Sequence, residues 1–265
     1  MLRKVTVMSF LVALTAAGAT AQNAPGAAPD RPGFTSEGWH GLVAPYLWAL
    51  NTSGDVAVGP VDVDFDLPFT TALEQLKAAF QVRGELRKGR LGIAGDFTNL
   101  EVAKGGAFSR PLPDGSSTDG DLDLRIQLLE AWPYYRLGDD DNAFDLMAGL
   151  RYYSFRTAID FKRLDQGVSR QFNWTDPLVG VRWLGQVSPK VVLIARADLA
   201  GFGAGSELTL NLQGGVHWQF SRVAGLAVEY RWMDIDYEAG APERPAFFKF
   251  DASMHGAVAG VTFAW

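Results

Sequence analysis

Apolar and polar side chains alternate along several stretches of this chain. In the clearest stretch, residues 208–220, apolar residues or glycine occupy every second position and most residues between them are polar. A period of two is that of a β-strand with one apolar and one polar face, whereas a helix repeats about every 3.6 residues. The same alternation recurs at residues 81–87, 144–152, 226–232 and 255–265. The sequence therefore predicts an all-β fold.

Aromatic residues indicate which face of these strands meets lipid. Strands of about 9–11 residues with one apolar side suit a membrane barrel, but alternation alone leaves open whether the apolar face points outward. Tryptophan and tyrosine cluster near the predicted strand ends, as they do at membrane interfaces. They are Trp39, Trp48, Tyr134, Tyr135, Tyr152, Tyr153, Trp183, Trp218, Tyr230, Trp232 and Trp265. This placement predicts a transmembrane antiparallel up-and-down β-barrel with the apolar face outward.

The amino terminus has the features of an export signal. Two cations, Arg3 and Lys4, precede an apolar run and the small residues 19–21, so residues 1–21 are predicted to be a cleaved signal peptide. Residues 22–37, which begin with a run rich in glycine, alanine and proline, are predicted to be a disordered periplasmic leader. Residues 38–265 form the predicted barrel domain. No later stretch approaches the roughly 20 apolar residues of a spanning helix.

Turn chemistry gives the strand count. Short connectors at residues 88–90, 138–142, 187–190 and 221–222 are assigned to the periplasm. Longer connectors at 51–76, 104–120, 160–170 and 239–245, with a tight turn at 201–206, are assigned to the outside, which is the asymmetry of bacterial barrels. The ten predicted strands are 38–50, 77–88, 90–103, 120–137, 143–159, 170–185, 190–202, 205–220, 223–238 and 247–265. Both ends of the barrel domain are then periplasmic.

Four local features depart from this regular pattern. Residues 55–67 also alternate, which predicts either a hairpin above the membrane or a further strand pair that makes twelve strands. Residues 70–77 have helical composition, so a short helix is expected in the first long loop. A switch of apolar parity at Leu128–Leu129 predicts a β-bulge. Proline at position 177 predicts a bulge or a rim position, because it cannot donate to the ladder.

The polar faces of the strands predict a lumen filled with paired charges. Seven arginines and seven carboxylates have the inward parity: Arg83, Arg87, Arg125, Arg151, Arg182, Arg196, Arg231, Glu85, Asp96, Asp123, Asp145, Asp176, Asp198 and Glu229. About eight strands already let side chains fill a barrel, while open porins use about 16, so no large aqueous channel is expected. The chain is predicted to be a structural barrel or a narrow channel for small solutes.

Nine of these residues form the predicted lumen charge network. They are Arg83, Glu85, Arg151, Asp176, Arg182, Arg196, Asp198, Glu229 and Arg231. The expected partners are Arg182 with Asp176, Arg196 with Asp198, and Arg231 with Glu229, because unpaired ions in a narrow lumen are costly.

Catalytic, cofactor and metal sites are not predicted. His40 and His217 lie near the periplasmic ends of their strands, where packing roles are expected. His255 and Ser253 are two apart on one strand, so their side chains point in parallel and do not form a dyad. A hydrolase acting on lipid or peptide at the outer rim is the alternative function, which a serine and a histidine meeting there would favour.

Acidic residues predict solvated outer loops. Aspartates recur in D-x-D order at residues 62–66, 119–123 and 234–236, and such runs are usually solvated faces rather than ion sites. The formal net charge of −6 with no basic block argues against a nucleic-acid partner. The chain contains no cysteine, so no disulfide contributes to its stability.

Three segments carry a resemblance to a known family. Residues 174–182 (WTDPLVGVR), 198–206 (DLAGFGAGS) and 229–232 (EYRW) resemble the D-P-x-x-G-x-R, G-F-G-x-G-S and Y-R strings of a widespread family of proteobacterial outer-membrane β-barrel proteins. The resemblance covers most of the chain after residue 21. Ala200 replaces a usual glycine, and the terminal Trp265 replaces a commoner phenylalanine. The resemblance implies the fold and the cell outer membrane, and no particular activity.

The resemblance also implies partners and an assembly signal. Outer-membrane lipid and lipopolysaccharide would surround the barrel. Small solutes are expected partners only of the narrow channel considered above. Gly260, Phe263 and Trp265 would be the mark that the outer-membrane assembly machinery recognises by adding the last strand to an exposed sheet edge.

Deleting Trp265 tests the assembly signal. A chain that ends at Ala264 should be exported and cleaved after Ala21 but should accumulate in the periplasm or be degraded, because it lacks the terminal aromatic while the other strands are intact. Cell fractionation measures the outcome, and Trp265→Phe, which keeps an aromatic at the end, is the control. Surface assembly of the truncated chain at wild-type yield would contradict the prediction.

Overall fold

The computed structural model describes most of the predicted barrel domain. It covers residues 34, 36–58, 61–111, 117–161, 166–241, 244 and 247–265. The predicted signal peptide, 1–21, and most of the predicted leader, 22–37, lie outside the described residues and remain predictions.

The described chain forms twelve strands and one short helix. The elements are β1 Trp39–Trp48, β2 Asn51–Val58, β3 Val61–Leu67, α1 Phe69–Glu74, β4 Leu76–Lys88, β5 Leu91–Pro111, β6 Ser117–Gly138, β7 Asn142–Phe161, β8 Gln166–Ser188, β9 Val191–Gly201, β10 Leu208–Gln219, β11 Ala224–Ala239 and β12 Phe248–Ala264. All are joined in one antiparallel sheet in the order β1-β4-β5-β6-β7-β8-β9-β10-β11-β12-β2-β3.

The first and last strands close this sheet into a barrel. Strand β1 pairs with β12 from Leu42 opposite Ala264 to Trp48 opposite Val258. The closed barrel thus contains ten strands, β1 and β4–β12, and the predicted all-β transmembrane barrel is confirmed. No helix among the described residues has the length and apolar character needed to cross a membrane.

The two additional strands form a hairpin above β1. Strand β2 continues where β1 ends and pairs with the outer half of β12, from Asn51 opposite His255 to Val58 opposite Phe248. Strand β3 pairs back onto β2. Of the two possibilities for residues 55–67, the hairpin extending the barrel is confirmed. The predicted short helix is also present, although α1 begins one residue earlier than predicted and ends three residues earlier.

Side-chain hydrogen bonds join the sheet where its ladder is interrupted. Among the described residues, β3 and the first part of β4 have no ladder partner on their facing sides. The Trp48 backbone N–H, at the end of β1, donates to Gln81 Oε1 of β4 at 2.6 Å. The Phe69 N–H, at the start of α1, donates to Asn51 Oδ1 of β2 at 2.9 Å. The first contact joins two strands of the barrel wall, and the second joins the helix to the hairpin.

The outward face carries a continuous apolar belt. Side chains such as Trp39, Leu91, Phe144, Val228 and Trp265 are each at least half exposed on the outer surface. Apolar exposure on this scale is stable only in contact with lipid. The belt therefore marks the part of the barrel that crosses the membrane.

The predicted β-bulge at Leu128–Leu129 is wrong. The register of β6 runs unbroken through both residues, which pair with Tyr153 and Tyr152 of β7. Leu129 points outward and is 49% exposed, while Leu128 points inward and is 1% exposed. Below this level the outward side of β6 is apolar because it meets lipid, and above it the outward side is polar. The switch of parity thus marks the outer boundary of the lipid belt rather than a change in the backbone.

Four strands extend far beyond this boundary. Strands β5, β6, β7 and β8 contain 21, 22, 20 and 23 residues, twice the roughly 9–11 residues that a membrane crossing needs. Most of the predicted outer loops 104–120 and 160–170 is therefore strand. The predicted strands end where the alternation typical of lipid contact ends. In the structure, the hydrogen bonds between these strands continue past that point, where water surrounds the wall.

Proline 177 lies at a rim and not in a bulge. The β7–β8 register is unbroken from Arg151 opposite Asp176 to Leu150 opposite Pro177. On the other side of β8, the last pair with β9 is Leu178 opposite Ala200. Pro177 therefore lies one residue beyond the end of the β8–β9 ladder.

A closed barrel should resist detergent until it is heated, because the β1–β12 ladder closes the sheet and leaves little unpaired edge at which unfolding can begin. The protein is expected to fractionate with outer membranes and to migrate differently on denaturing gels before and after boiling. Recovery in the soluble periplasmic fraction, with one gel mobility regardless of heating, would contradict the membrane assignment.

Candidate functional site

The periplasmic half of the lumen contains a buried network of arginines and carboxylates. Its centre is Glu130 on β6, which is 1% exposed. Glu130 Oε2 accepts hydrogen bonds from Arg151 Nη2 at 3.2 Å and from Arg196 Nη2 at 2.7 Å. Its other oxygen accepts from Arg231 Nη2. One carboxylate thus joins arginines from β7, β9 and β11 across the lumen.

A second carboxylate completes this central layer. Asp198 accepts hydrogen bonds from Arg151 Nη2 at 2.7 Å, Arg196 Nε at 2.8 Å and Asn211 Nδ2 at 2.7 Å. Asn211 Oδ1 in turn accepts from Arg231 Nε at 2.9 Å. Each buried charge in the layer therefore has an opposite charge within hydrogen-bond distance, which offsets its desolvation cost.

Aromatic rings lie against two of the three central arginines. The Arg196 guanidinium lies 4.1 Å from the Trp132 ring centroid, and the Arg231 guanidinium lies 4.8 Å from that of Trp48. Cation–π contacts of this kind stabilise desolvated arginines. Trp48, Tyr134 and Tyr153 were predicted for the lipid interface, but all three are buried in the barrel interior.

A further group of charges lies toward the periplasmic turns. Asp145 accepts two hydrogen bonds from Arg136, at 2.7 and 2.9 Å, and one from Arg182 Nε at 2.8 Å. Arg182 also donates to Glu85 at 2.6 Å, and the Tyr134 hydroxyl donates to the same carboxylate at 2.5 Å. This group closes the lumen below the central layer.

The third group lies on the side of β4, β5 and β11. Arg83 Nε donates to Asp96 at 3.0 Å, and the Arg83 Nη1 atom lies 3.5 Å from Glu229 Oε2. The Tyr46 hydroxyl donates to Asp96 at 2.6 Å. Glu229 also contacts His217 Nε2. The predicted packing role of His217 is thus a contact with a lumen carboxylate.

The structure brings together most of the predicted lumen residues but changes their partners. Arg196 pairs with Asp198 as expected. Arg182 pairs with Glu85 and Asp145 instead of Asp176, and Arg231 pairs with Glu130 instead of Glu229. Each expected pair lies within one strand, whereas several observed pairs join different strands across the lumen.

Four of the fourteen charged residues with inward parity lie outside the arginine–carboxylate network. Asp176 accepts hydrogen bonds from the Ser206 backbone N–H and hydroxyl, both at 2.7 Å. Arg87 donates to the carbonyls of Ser36 and Gly89 near the periplasmic end. Asp123 and Arg125 are exposed on the outer surface, so their predicted inward position is wrong. The prediction took the polar face of each strand to be the inward face. Above the lipid the outward face meets water, so polar residues face outward there.

Sequence reasoning missed Glu130 and Arg136. Both lie on the even-numbered side of β6, below the level at which apolar residues switch from the inward to the outward face. Leu129 and Tyr135 are odd-numbered and face lipid. The even-numbered residues of this part of β6, which include both charges, therefore face inward.

The outer half of the lumen is filled by stacked aromatic rings. The Trp174 ring centroid lies 4.6 Å from that of Tyr153, 5.3 Å from that of Phe155 and 3.8 Å from that of Tyr237. Trp174 Nε1 donates to the Ser206 hydroxyl at 2.8 Å, which satisfies the one polar atom of the ring. Phe172, Phe248 and Phe250 extend the cluster. An apolar layer therefore lies above the charged layers.

The architecture is similar to those of solved bacterial membrane barrels. The outer-membrane protease OmpT from Escherichia coli matches with a TM-score of 0.53 at 9% identity, over 87% of this chain and 98% of that one. The NalP autotransporter translocator domain from Neisseria meningitidis gives a TM-score of 0.49 at 14% identity, over 86% and 89%. Ail from Yersinia pestis gives 0.40 at 11% identity, over 87% and 100%.

This is the fold of an outer-membrane β-barrel. No family model matches the sequence, and no curated protein matches it. The likeness is one of fold, so the particular family suggested by the D-P-x-x-G-x-R and G-F-G-x-G-S strings remains a prediction. The tail residues Gly260, Phe263 and Trp265 end the closing strand β12, and their role in assembly also remains a prediction.

The outer rim of β11 and β12 does not bring a serine and a histidine together. The Ser253 hydroxyl donates to Asp234 at 2.7 Å, and His255 Nδ1 lies 2.8 Å from the Tyr230 hydroxyl. His40, at the opposite end of the barrel, lies 2.6 Å from the Ser36 hydroxyl. His255 therefore contacts a tyrosine and not Ser253, and the serine that does contact a histidine, Ser36, lies at the opposite end of the barrel from the outer rim.

Acidic side chains at the rim are near one another without forming an ion site. Asp236 lies directly opposite Asp251 in the β11–β12 ladder. Partial burial and the Asp251 carboxylate raise the pKa of Asp236. Within the described part of the chain, no group of three or more histidine, cysteine, aspartate or glutamate residues is placed to hold a metal ion.

The predicted Arg196–Asp198 pair provides a test of the charge network. Arg196→Ala or Asp198→Ala should each lower the free energy of unfolding by on the order of 3–5 kcal/mol, because each leaves buried opposite charges short of a partner. The double variant should lose less than the sum. Urea unfolding of the refolded barrel measures all four states.

Lys249 and Asp251 are the matched control pair, since they lie 3.9 Å apart and are 29% and 35% exposed. Their replacement should cost about 1 kcal/mol or less and should be additive. Additive losses at Arg196 and Asp198 would show that the lumen charges do not interact.

Proposed function

We propose that the protein is a closed outer-membrane β-barrel with a structural role, whose lumen is blocked by its own side chains. The observation that carries this proposal is the central layer, in which Glu130 is 1% exposed and contacts three arginines from three strands. The stacked rings around Trp174 form a second barrier on the outer side.

Ion passage through these layers would be costly. A solute crossing the central layer would have to separate Glu130 and Asp198 from their arginines inside a narrow lumen. Separating one partner from a buried ion pair costs several kcal/mol, because the remaining charge is left desolvated. A ten-stranded barrel is also near the size at which side chains fill the interior. Both arguments support a closed resting state.

A narrow path for small solutes is the second candidate. In the described part of the chain, Arg151 Nη1 and Arg196 Nη1 are buried donors without a hydrogen-bond partner. Arginines with spare donors could exchange carboxylate partners, and such an exchange would be the basis of a gate. The hydrolase alternative has less support, because the hydroxyl of Ser253 donates to Asp234 and not to His255.

Planar-bilayer recordings separate the closed barrel from the channel. The wild-type protein is expected to give no unitary conductance steps, because two packed layers obstruct the lumen. A variant with Glu130, Arg151, Arg196 and Asp198 all replaced by alanine removes two charges of each sign, and it should give steps or higher leak. Heat-modifiability of protein recovered from the same membranes controls for insertion. Stable steps from the wild type would favour the solute channel.

A further inference from the structure

A charged pocket lies on the outer surface of the barrel above the lipid belt. It has a volume of about 320 Å³ and is bounded by strands β4 to β7. Its lining includes three cations, Lys77, Arg125 and Arg156, and two carboxylates, Glu101 and Asp123. The pocket is separate from the lumen network, because these charged side chains project from the outer side of the wall.

The height of the pocket corresponds to the lipid headgroups. Leu129 on β6 and Tyr152 on β7 are the uppermost apolar residues of the belt on their strands, and they lie opposite each other. Arg125 and Arg156 lie four residues farther out on the same outward faces, about 13 Å along strands that rise about 3.3 Å per residue. With the usual strand tilt this is about 10 Å above the apolar belt.

Two like charges face each other in this pocket. Arg125 and Arg156 are direct partners in the β6–β7 ladder. Residues directly opposite on one face have Cβ atoms about 5 Å apart, and like charges there repel. Glu101 contacts Arg125 at 2.7 Å. Arg156 Nε instead donates to the Ser169 hydroxyl, at 3.4 Å.

The remaining charges leave the pocket positive. Lys77 pairs with Asp123, and about half of each side chain is exposed. The five charged groups that line the pocket thus comprise three cations and two carboxylates. An anion placed between the paired arginines would relieve their repulsion and accept hydrogen bonds from both guanidinium groups.

The surface below the pocket suits a lipid rather than a free anion. Phe80 and Phe97 project into the belt with ring centroids 6.1 Å apart, and Phe80 is 58% exposed. Between these rings and the arginines lies a polar pair, in which Gln127 Nε2 donates to Asn99 Oδ1 at 2.9 Å. The order from the membrane outward is therefore apolar, amide and cationic. An amphiphile with acyl chains, a sugar and a phosphate presents the same order.

We propose that this pocket binds a phosphate group carried by lipopolysaccharide of the outer leaflet, with Arg125 and Arg156 as the main ligands. Lys77 adds positive charge at the edge of the site. The inference rests on the outer-membrane location proposed above and not on a closed lumen, so conductance through the barrel would leave it unaffected.

Binding of diphosphorylated lipid A to the refolded, lipopolysaccharide-free barrel in detergent tests the proposal. Native mass spectrometry can give the dissociation constants for the wild type and for Arg125→Gln/Arg156→Gln. The double variant should bind at least about tenfold more weakly, because it loses two charge-assisted contacts to phosphate. Lipid A stripped of its phosphates should bind wild type and double variant equally weakly.

The matched control is Lys190→Gln/Arg222→Gln, which removes two exposed positive charges from the periplasmic turns. This control should retain wild-type affinity for lipid A, and both double variants should keep heat-modifiability. Equal affinity of the Arg125/Arg156 variant and the wild type would overturn the proposal. Equal binding of phosphorylated and dephosphorylated lipid A would do so as well. Inorganic phosphate that binds the pocket as tightly as lipid A would overturn the lipid assignment.

Discussion

Closure of the sheet between the first and last strands is the constraint on which the rest of this structure depends. In lipid, every backbone N–H and C=O group needs a partner within the protein, and only a closed sheet provides one for every strand. The closing ladder ends at the last residue, where Gly41 and Trp265 exchange backbone hydrogen bonds at 2.9 and 3.1 Å. A side chain at position 41 would collide with the Trp265 ring, whose nearest atom lies 2.3 Å from the Cβ position. Glycine there lets the terminal aromatic ring pack directly against the backbone of β1.

Closing ten strands creates a narrow interior that has to be filled. The two halves of the lumen are filled by different chemistry. Toward the periplasm, outward side chains meet lipid and inward ones are polar, so charges such as Glu130 and Arg151 pair across the lumen. Toward the outside, the outward side chains meet water and the apolar side turns inward, so Trp174 and its neighbours stack. Both arrangements follow from what surrounds the wall. Where lipid surrounds it, polar side chains face inward and pair, and where water surrounds it, apolar side chains face inward and stack.

The boundary between these halves also organises the outer surface. On β6 it lies between Gln127 and Leu129, where outward side chains change from polar to apolar. Above it, β5 to β8 continue as a paired sheet in water, and cations such as Arg125 and Arg156 occur at headgroup height. The extension therefore provides a rigid surface beside the membrane, which loops of the same length would not.

The sequence determined which segments of this protein cross the membrane. The tertiary structure decided how far four strands continue beyond it and which charges pair. Alternation, short turns and the terminal aromatic predicted an antiparallel membrane barrel with ten strands in its wall. A period of two indicates a strand, and strands in lipid must form a closed sheet so that every backbone group has a partner. Alternation also predicted that Arg182, Arg196 and Arg231 point inward. It did not predict that Arg182 reaches Glu85, or that Arg231 reaches Glu130, since the members of each pair are 97 and 101 residues apart in the chain.

Parity along one strand determines whether a side chain faces inward or outward. It does not determine which strand lies across the lumen, because that depends on how all the strands are staggered once the barrel has closed. The same limit explains the supposed bulge at Leu128–Leu129. A change of polarity along a strand can come from the backbone or from the surroundings, and only the folded barrel, with lipid on one side of the boundary and water on the other, distinguishes the two.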